Sequence, residues 1–313
     1  MRNFLIGALV VLAAAAALPS FLKVEYYYVL GFTVLQFIIM ATAWNILGGF
    51  AGYVNFGSGA FFAVGAYTAV ALYKTYALPI GLQVLAGAAM AGLLGFCVGL
   101  LTLRLRGIFF SIATIAITII LETVVLNWTY VGGAKGLPIL RPTEVPLFGN
   151  YMQWLFFVMA IITLVAIGVA RYVQTSWIGR GLRAIRDNEG AAECSGVPTL
   201  KLKLAAATVS GALMGAAGAP YALLGSFIEP GSAFSLNHAV NALAMPIIGG
   251  TAHWLGPVVG AVLLGSVQQI VTVTISSEMN VLVVGVVLVV FVVAAPEGIL
   301  GLWRRHVLKK ADA

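Results

Sequence analysis

Apolar runs of about twenty residues recur along this chain, the length an α-helix needs to cross a bilayer. Hydropathy places candidate spans at 3–19, 26–48, 55–73, 79–102, 107–127, 151–170, 204–225, 237–249, 256–275 and 280–298. The chain is 61% hydrophobic and 9% charged, against about 25% charged residues in an ordinary soluble domain. A surface so poor in charge suits lipid rather than water. A β-barrel would show alternating segments of about 10 residues, and these do not dominate. The expected fold class is all-α: a polytopic helical membrane protein with about ten transmembrane helices in a single domain, 1–313.

Three spans are less clear than the rest, 55–73 among them. Residues 3–19 follow Arg2 and end in a small-residue run, so they fit a retained helix or a cleaved signal peptide. Residues 237–249 are short and contain Pro246, so this segment spans or re-enters. Charge orients the rest. With the N-terminus inside and spans alternating, the inner side receives Arg2, Arg104, Arg106, Arg171, Arg180, Arg183, Arg186, Lys201, Lys203, Arg304, Arg305, Lys309 and Lys310. The outer side receives Lys23, Lys74, Lys135 and Arg141. This asymmetry satisfies the positive-inside rule, places both termini in the cytoplasm and accounts for the net charge of +7 without nucleic acid. Cys97 falls in an apolar span and Cys194 in a basic loop, so a disulfide between them is not expected.

The stretch "NILGGFAGYVNFGSGAFFAVGAYTA" (45–69) is rich in glycine and polar residues yet has no charge. Small residues let helix backbones approach in lipid, where packing replaces the hydrophobic drive between helices. They also permit broken helices whose freed backbone meets a solute. Uncharged polar residues near the spans mark a candidate translocation path: Asn55, Ser58, Asn237 and Asn241. Glu122 lies near an outer end and His238 is isolated, so neither forms an ion relay. The sequence has no Walker A loop, zinc-protease motif or other metal or catalytic pattern.

Two hydrophilic segments interrupt the spans. The outer loop, 128–150, is rich in glycine and proline and reads as irregular or short elements. The inner loop, 171–203, has apolar Leu182, Ile185, Ala191 and Ala192 at roughly helical spacing beside Arg183, Arg186, Asp187 and Glu193. Gly196 and Pro198 then stop it. One or two short amphipathic helices follow from this pattern. Such helices dock into a soluble partner or lie on the anionic inner leaflet, and the mixed charge favours a protein. A membrane path with no motor of its own and a patterned inner loop fits a transporter driven by another polypeptide.

"GGFAGYVNFGSGAFFAVGAYTA", "GLRAIRDNEGAAECSGVPTLKLK", "SGALMGAAGAPYALLGSFIEPGSAFSL" and "MPIIGGTAHWLGPVVGAVLLG" occur in this order. Together they resemble the LivM-type permease subunits of branched-chain amino acid ABC importers. The resemblance covers roughly residues 35–300. It implies an ABC importer permease fold in the bacterial inner membrane. It also implies a LivH-type second permease, two cytoplasmic ATPases that use ATP and Mg, and a periplasmic substrate-binding protein. The chain itself would be no enzyme and hold no cofactor. The resemblance further implies an ATPase-coupling segment at Arg186, Asp187, Glu189, Ala191, Ala192, Glu193 and Gly196, although Gly190 interrupts the family's Glu-Ala-Ala run. A permease for urea, short amides or other amino acids is the alternative within the family. A stand-alone secondary transporter or channel is the alternative outside it.

Overall fold

A computed structural model describes residues 24–105, 107–139, 150–274, 279–295 and 297–303, with a few positions between 7 and 16. Most of the candidate first span and both termini therefore lie outside the described residues. Seven described helices are long and apolar enough to cross a membrane. Six are α1 (Glu25–Ala51), α3 (Ile80–Thr102), α4 (Ile108–Leu126), α5 (Tyr151–Thr175), α8 (Thr199–Gly225) and α11 (Leu255–Thr274). The seventh apolar stretch, Val281–Trp303, contains most of α12 (Met279–Ala294). The chain is a helical, multi-pass membrane protein.

Two expected spans take a different form. Helix α2 (Ser58–Tyr76) starts after an irregular segment at 52–57 rather than continuing the turn that ends α1. Helix α10 (Leu236–Gly249) has 14 residues. At 1.5 Å per residue it is about 21 Å long, short of a hydrocarbon core of about 30 Å. It begins after a non-spanning segment that holds β2 (Phe227–Ile228) and α9 (Pro230–Ala233). The inner loop also shrinks, because α5 runs on to Thr175 and α8 starts at Thr199. Polar residues at helix ends count against a span in hydropathy but continue the helix at the interface, where long basic side chains reach water. What remains holds α6 (Trp177–Asp187) and α7 (Glu189–Cys194), the two short helices expected there. The outer loop carries two 3₁₀ turns and β1 (Leu137–Pro138), which pairs antiparallel with β2.

Small residues bring the central helices together. Helices α3 and α8 pack antiparallel through Gly87, Gly92, Gly95 and Gly99 of α3 against Ala207, Thr208, Ala212 and Gly215 of α8. Three backbones meet at Gly65, Gly87 and Gly215. A Cβ on Gly87 would lie 2.9 Å from the Gly65 oxygen, one on Gly215 would lie 2.6 Å from the Gly87 oxygen, and one on Gly65 would overlap Gly215. All three atoms are backbone, so no side chain can move aside. A second such contact joins Gly249 of α10 to Gly256 and Gly260 of α11. Gly215→Leu should therefore cost about 1–3 kcal/mol or more through overpacking, read as a lower unfolding midpoint in detergent. Gly81→Leu should leave it unchanged, because a Cβ on Gly81 meets nothing within 4 Å.

Candidate functional site: the inner-face loop and the joint above it

Helix α6 buries Leu182 and Ile185 and turns its charges outward. The single extended residue Asn188 separates it from α7, and the Asn188 side chain caps α7 by accepting from the Ala191 amide at 3.0 Å. Gly196, at φ +81°, ends the segment in a left-handed conformation that favours glycine. Of the expected coupling residues, Arg186, Asp187, Ala191, Glu193 and Gly196 are exposed. Ala192 is buried, so it holds α7 down instead of offering a contact. Glu193 also accepts from the Thr199 hydroxyl at 2.7 Å, tying α7 to the start of α8.

Glu189 faces inward. One carboxylate oxygen pairs with the Lys203 ammonium at 2.6 Å, and the other accepts from the Tyr53 hydroxyl at 2.7 Å. The Lys203 side chain is 4% exposed. Its Nζ donates also to the Leu103 carbonyl and the Tyr53 hydroxyl oxygen, each at 3.0 Å. Three acceptors thus satisfy the three donors of a buried ammonium, the condition under which such a charge is tolerated. Removing one partner from a buried pair costs about 3–5 kcal/mol, because the other charge stays behind unpaired. Burial, followed by the hydrogen bond to Glu189, raises the Tyr53 pKa above its usual value, so the phenol stays protonated and donates. Arg186 Nη1 donates to the Gly49 carbonyl at 2.7 Å. Lys203 and Arg186 therefore place cations on the C-terminal ends of α3 and α1, where helix carbonyls lack partners. A cavity of about 440 Å³ opens between these groups, lined by Tyr53, Val54, Ile108, Ser111, Arg186 and Glu189.

From Tyr53 the chain turns back along α1. The Trp44 indole, which lies against Gly48 near the end of α1, donates to the Asn55 carbonyl at 2.8 Å. Helix α2 consequently starts beside the last turns of α1. The irregular backbone is satisfied by side chains. Ser111 donates to the Val54 carbonyl at 2.8 Å, the Phe56 amide donates to Thr114 Oγ1 at 3.1 Å, and the Gly57 amide donates to Asn55 Oδ1 at 2.7 Å. The non-spanning segment before α10 approaches the same level: a Cβ on Gly59 would lie 3.1 Å from the Phe234 and Ser235 carbonyls.

The four expected path residues do not form one lining. Asn55 is buried and internally bonded. Ser58 is fully buried, and its hydroxyl has no hydrogen-bond partner. Asn237 is exposed, and Asn241 accepts from Gln268 at 2.9 Å across α10 and α11. Sequence reading missed the roles of Tyr53 and Lys203. Lys203 reads only as one more inner-face cation, since its partners lie 14, 100 and 150 residues away.

Residues 26–292 match the family described as "Branched-chain amino acid transport system / permease component". The chain belongs to this permease family. It is 27% identical over 302 residues to the LivM permease protein of the high-affinity branched-chain amino acid transport system of Escherichia coli K12, covering 88% of this chain and 70% of the relative. The Salmonella typhimurium LivM protein is also 27% identical, with the same coverage of both chains. A probable LivH branched-chain amino acid permease of Methanocaldococcus jannaschii is 26% identical over 80% of this chain and 84% of its own length. No solved structure matches. The family is one of transport permeases and not of enzymes, which agrees with the reading of the sequence. The structural consequence for the joint is direct. A Ser58→Cys thiol should resist small water-soluble maleimides in the resting protein, while Asn237→Cys should react; equal labelling rates would contradict this packing.

Proposed function

We propose that this chain is one transmembrane subunit of an ATP-driven importer that carries leucine, isoleucine, valine or a related apolar amino acid into the cytoplasm. In this reading it sits in the bacterial inner membrane as a single permease domain, with ten spans and both termini inside. A LivH-type chain completes the permease pair, a periplasmic protein delivers substrate, and two ATPases consume ATP and Mg. The chain contributes no cofactor of its own.

The observation that carries this reading is the α6–α7 pair. It is amphipathic, mixed in charge and placed between two long spans, with Arg186, Asp187, Ala191 and Glu193 exposed. A partner helix or groove can grip such a face, and its register on the membrane is fixed by buried Leu182, Ile185 and Ala192. Asn55, Ser58, Asn237 and Asn241 belong to the path in this reading, with the buried pair opened during turnover.

Co-expression with candidate ATPases, a second permease and a binding protein tests the assignment. Asp187→Arg together with Glu193→Arg should abolish ATPase co-purification and uptake, while the permease pair stays assembled. Uptake of leucine by liposomes holding this chain alone would favour a stand-alone carrier. Preferential uptake of urea or short amides by the full set would reassign the substrate. The two cysteines test the orientation: both are exposed, but Cys194 should react with charged thiol reagents only from the cytoplasmic side, whereas Cys97 sits in α3.

A further inference from the structure

The cluster of Tyr53, Glu189 and Lys203 joins four elements at one buried point. Glu189 opens α7, Lys203 lies in the first turns of α8, Leu103 ends α3, and Tyr53 begins the irregular segment between α1 and α2. Glu189 ties the loop to the body through a buried charge, beside the Arg186–Gly49 and Thr199–Glu193 bonds. Tyr53 is the point at which the irregular segment is tied to Glu189. We propose that Tyr53 and Lys203 are positioning residues that carry movement of the α6–α7 pair into segment 52–57 and from there to α4. The proposal rests on the reading that this pair docks an ATPase.

The linkage has a stiff end and a soft end. At the stiff end, Lys203 Nζ makes three bonds in a buried setting, where charge-assisted bonds are short and strong. At the soft end, segment 52–57 has no helical hydrogen-bond ladder. Side chains hold it instead: Trp44 at Asn55, Ser111 at Val54 and Thr114 at Phe56. Two of these three holders belong to α4. That helix is itself lightly anchored, burying only Phe110, Thr114, Thr118 and Val125. Displacement of α7 therefore draws on Tyr53, and the elements least held against it are 52–57 and α4. The cavity of about 440 Å³ lies between them and leaves room for the shift. The remainder of the body is braced by the backbone contacts at Gly65, Gly87 and Gly215, so it does not follow.

Two variants separate this role from a docking role. Tyr53→Phe removes one hydroxyl and leaves the Lys203–Glu189 pair in place. Lys203→Met removes the ammonium and leaves Glu189, whose side chain is 15% exposed and reachable by water. Neither residue lies on the exposed docking face. Each variant is assembled with the second permease, the ATPases and the binding protein in liposomes, and leucine uptake is measured per ATP hydrolysed. The expected result is unchanged ATPase association and hydrolysis, with uptake per ATP lowered about three- to thirtyfold, the span of couplings seen for residues that link sites. Uptake per ATP equal to the unsubstituted chain in both variants overturns the proposal. So does parallel loss of association and hydrolysis, which would make the cluster a support for the docking face alone. Failure of both variants to assemble would make it a folding element and overturn it as well. An unsubstituted chain that binds no ATPase refutes the docking reading first, and is thereby told apart from these results.

Discussion

Backbone amides and carbonyls cannot be left bare inside a bilayer. The buried groups of segment 52–57, where α1 has ended and α2 has not begun, meet the same demand. Every route back into the membrane without a helix requires outside partners for those groups. Trp44, Ser111, Thr114 and the side chain of Asn55 supply them. The residues that look out of place in an apolar chain are the ones that make an interrupted helix tolerable. The same requirement explains why α10 begins where it does: Ser235 caps it by accepting from the Asn237 amide at 3.3 Å.

Around this interrupted centre the protein is braced by close contact between backbones. At the Gly65–Gly87–Gly215 junction, dispersion across a tight interface does the work that the hydrophobic effect performs in water. Such a junction has little freedom to slide, since any added atom meets backbone. The contrast with α4 is informative. Its outer face exposes Ile108, Phe109, Ile112 and Ile120, and its first half is attached through the Ser111 and Thr114 hydroxyls and through Phe110 packed edge-on against Tyr53. Rigid and compliant parts therefore occupy different sides of segment 52–57.

Family membership gives these features a common purpose. In the proposed reading, force from the ATPases enters at the inner face and passes toward the solute path. Here α6–α7 and the irregular segment 52–57 are joined by a buried cluster around Lys203 and by Arg186 against Gly52. A long-range bond between a surface loop and a helix interruption is a physical connection of the kind that coupling demands.

The sequence by itself determined the helical membrane class, the positions of most spans, and the short inner-loop helices. Those rest on local properties: run length, residue spacing, and breakers such as Gly196 and Pro198. It also marked 45–69 as unusual and showed small residues suited to close packing. Only the tertiary structure decided that an irregular segment precedes α2, that α10 is a short helix behind a non-spanning segment, and that Ala192 and Glu189 face inward. A hydropathy window sums residues over its length and cannot see where an irregular stretch doubles back. The role of Lys203 was illegible for a related reason. A lysine near a membrane face reads as a positive-inside residue, and its acceptors come from Tyr53, Leu103 and Glu189, residues that only folding brings together.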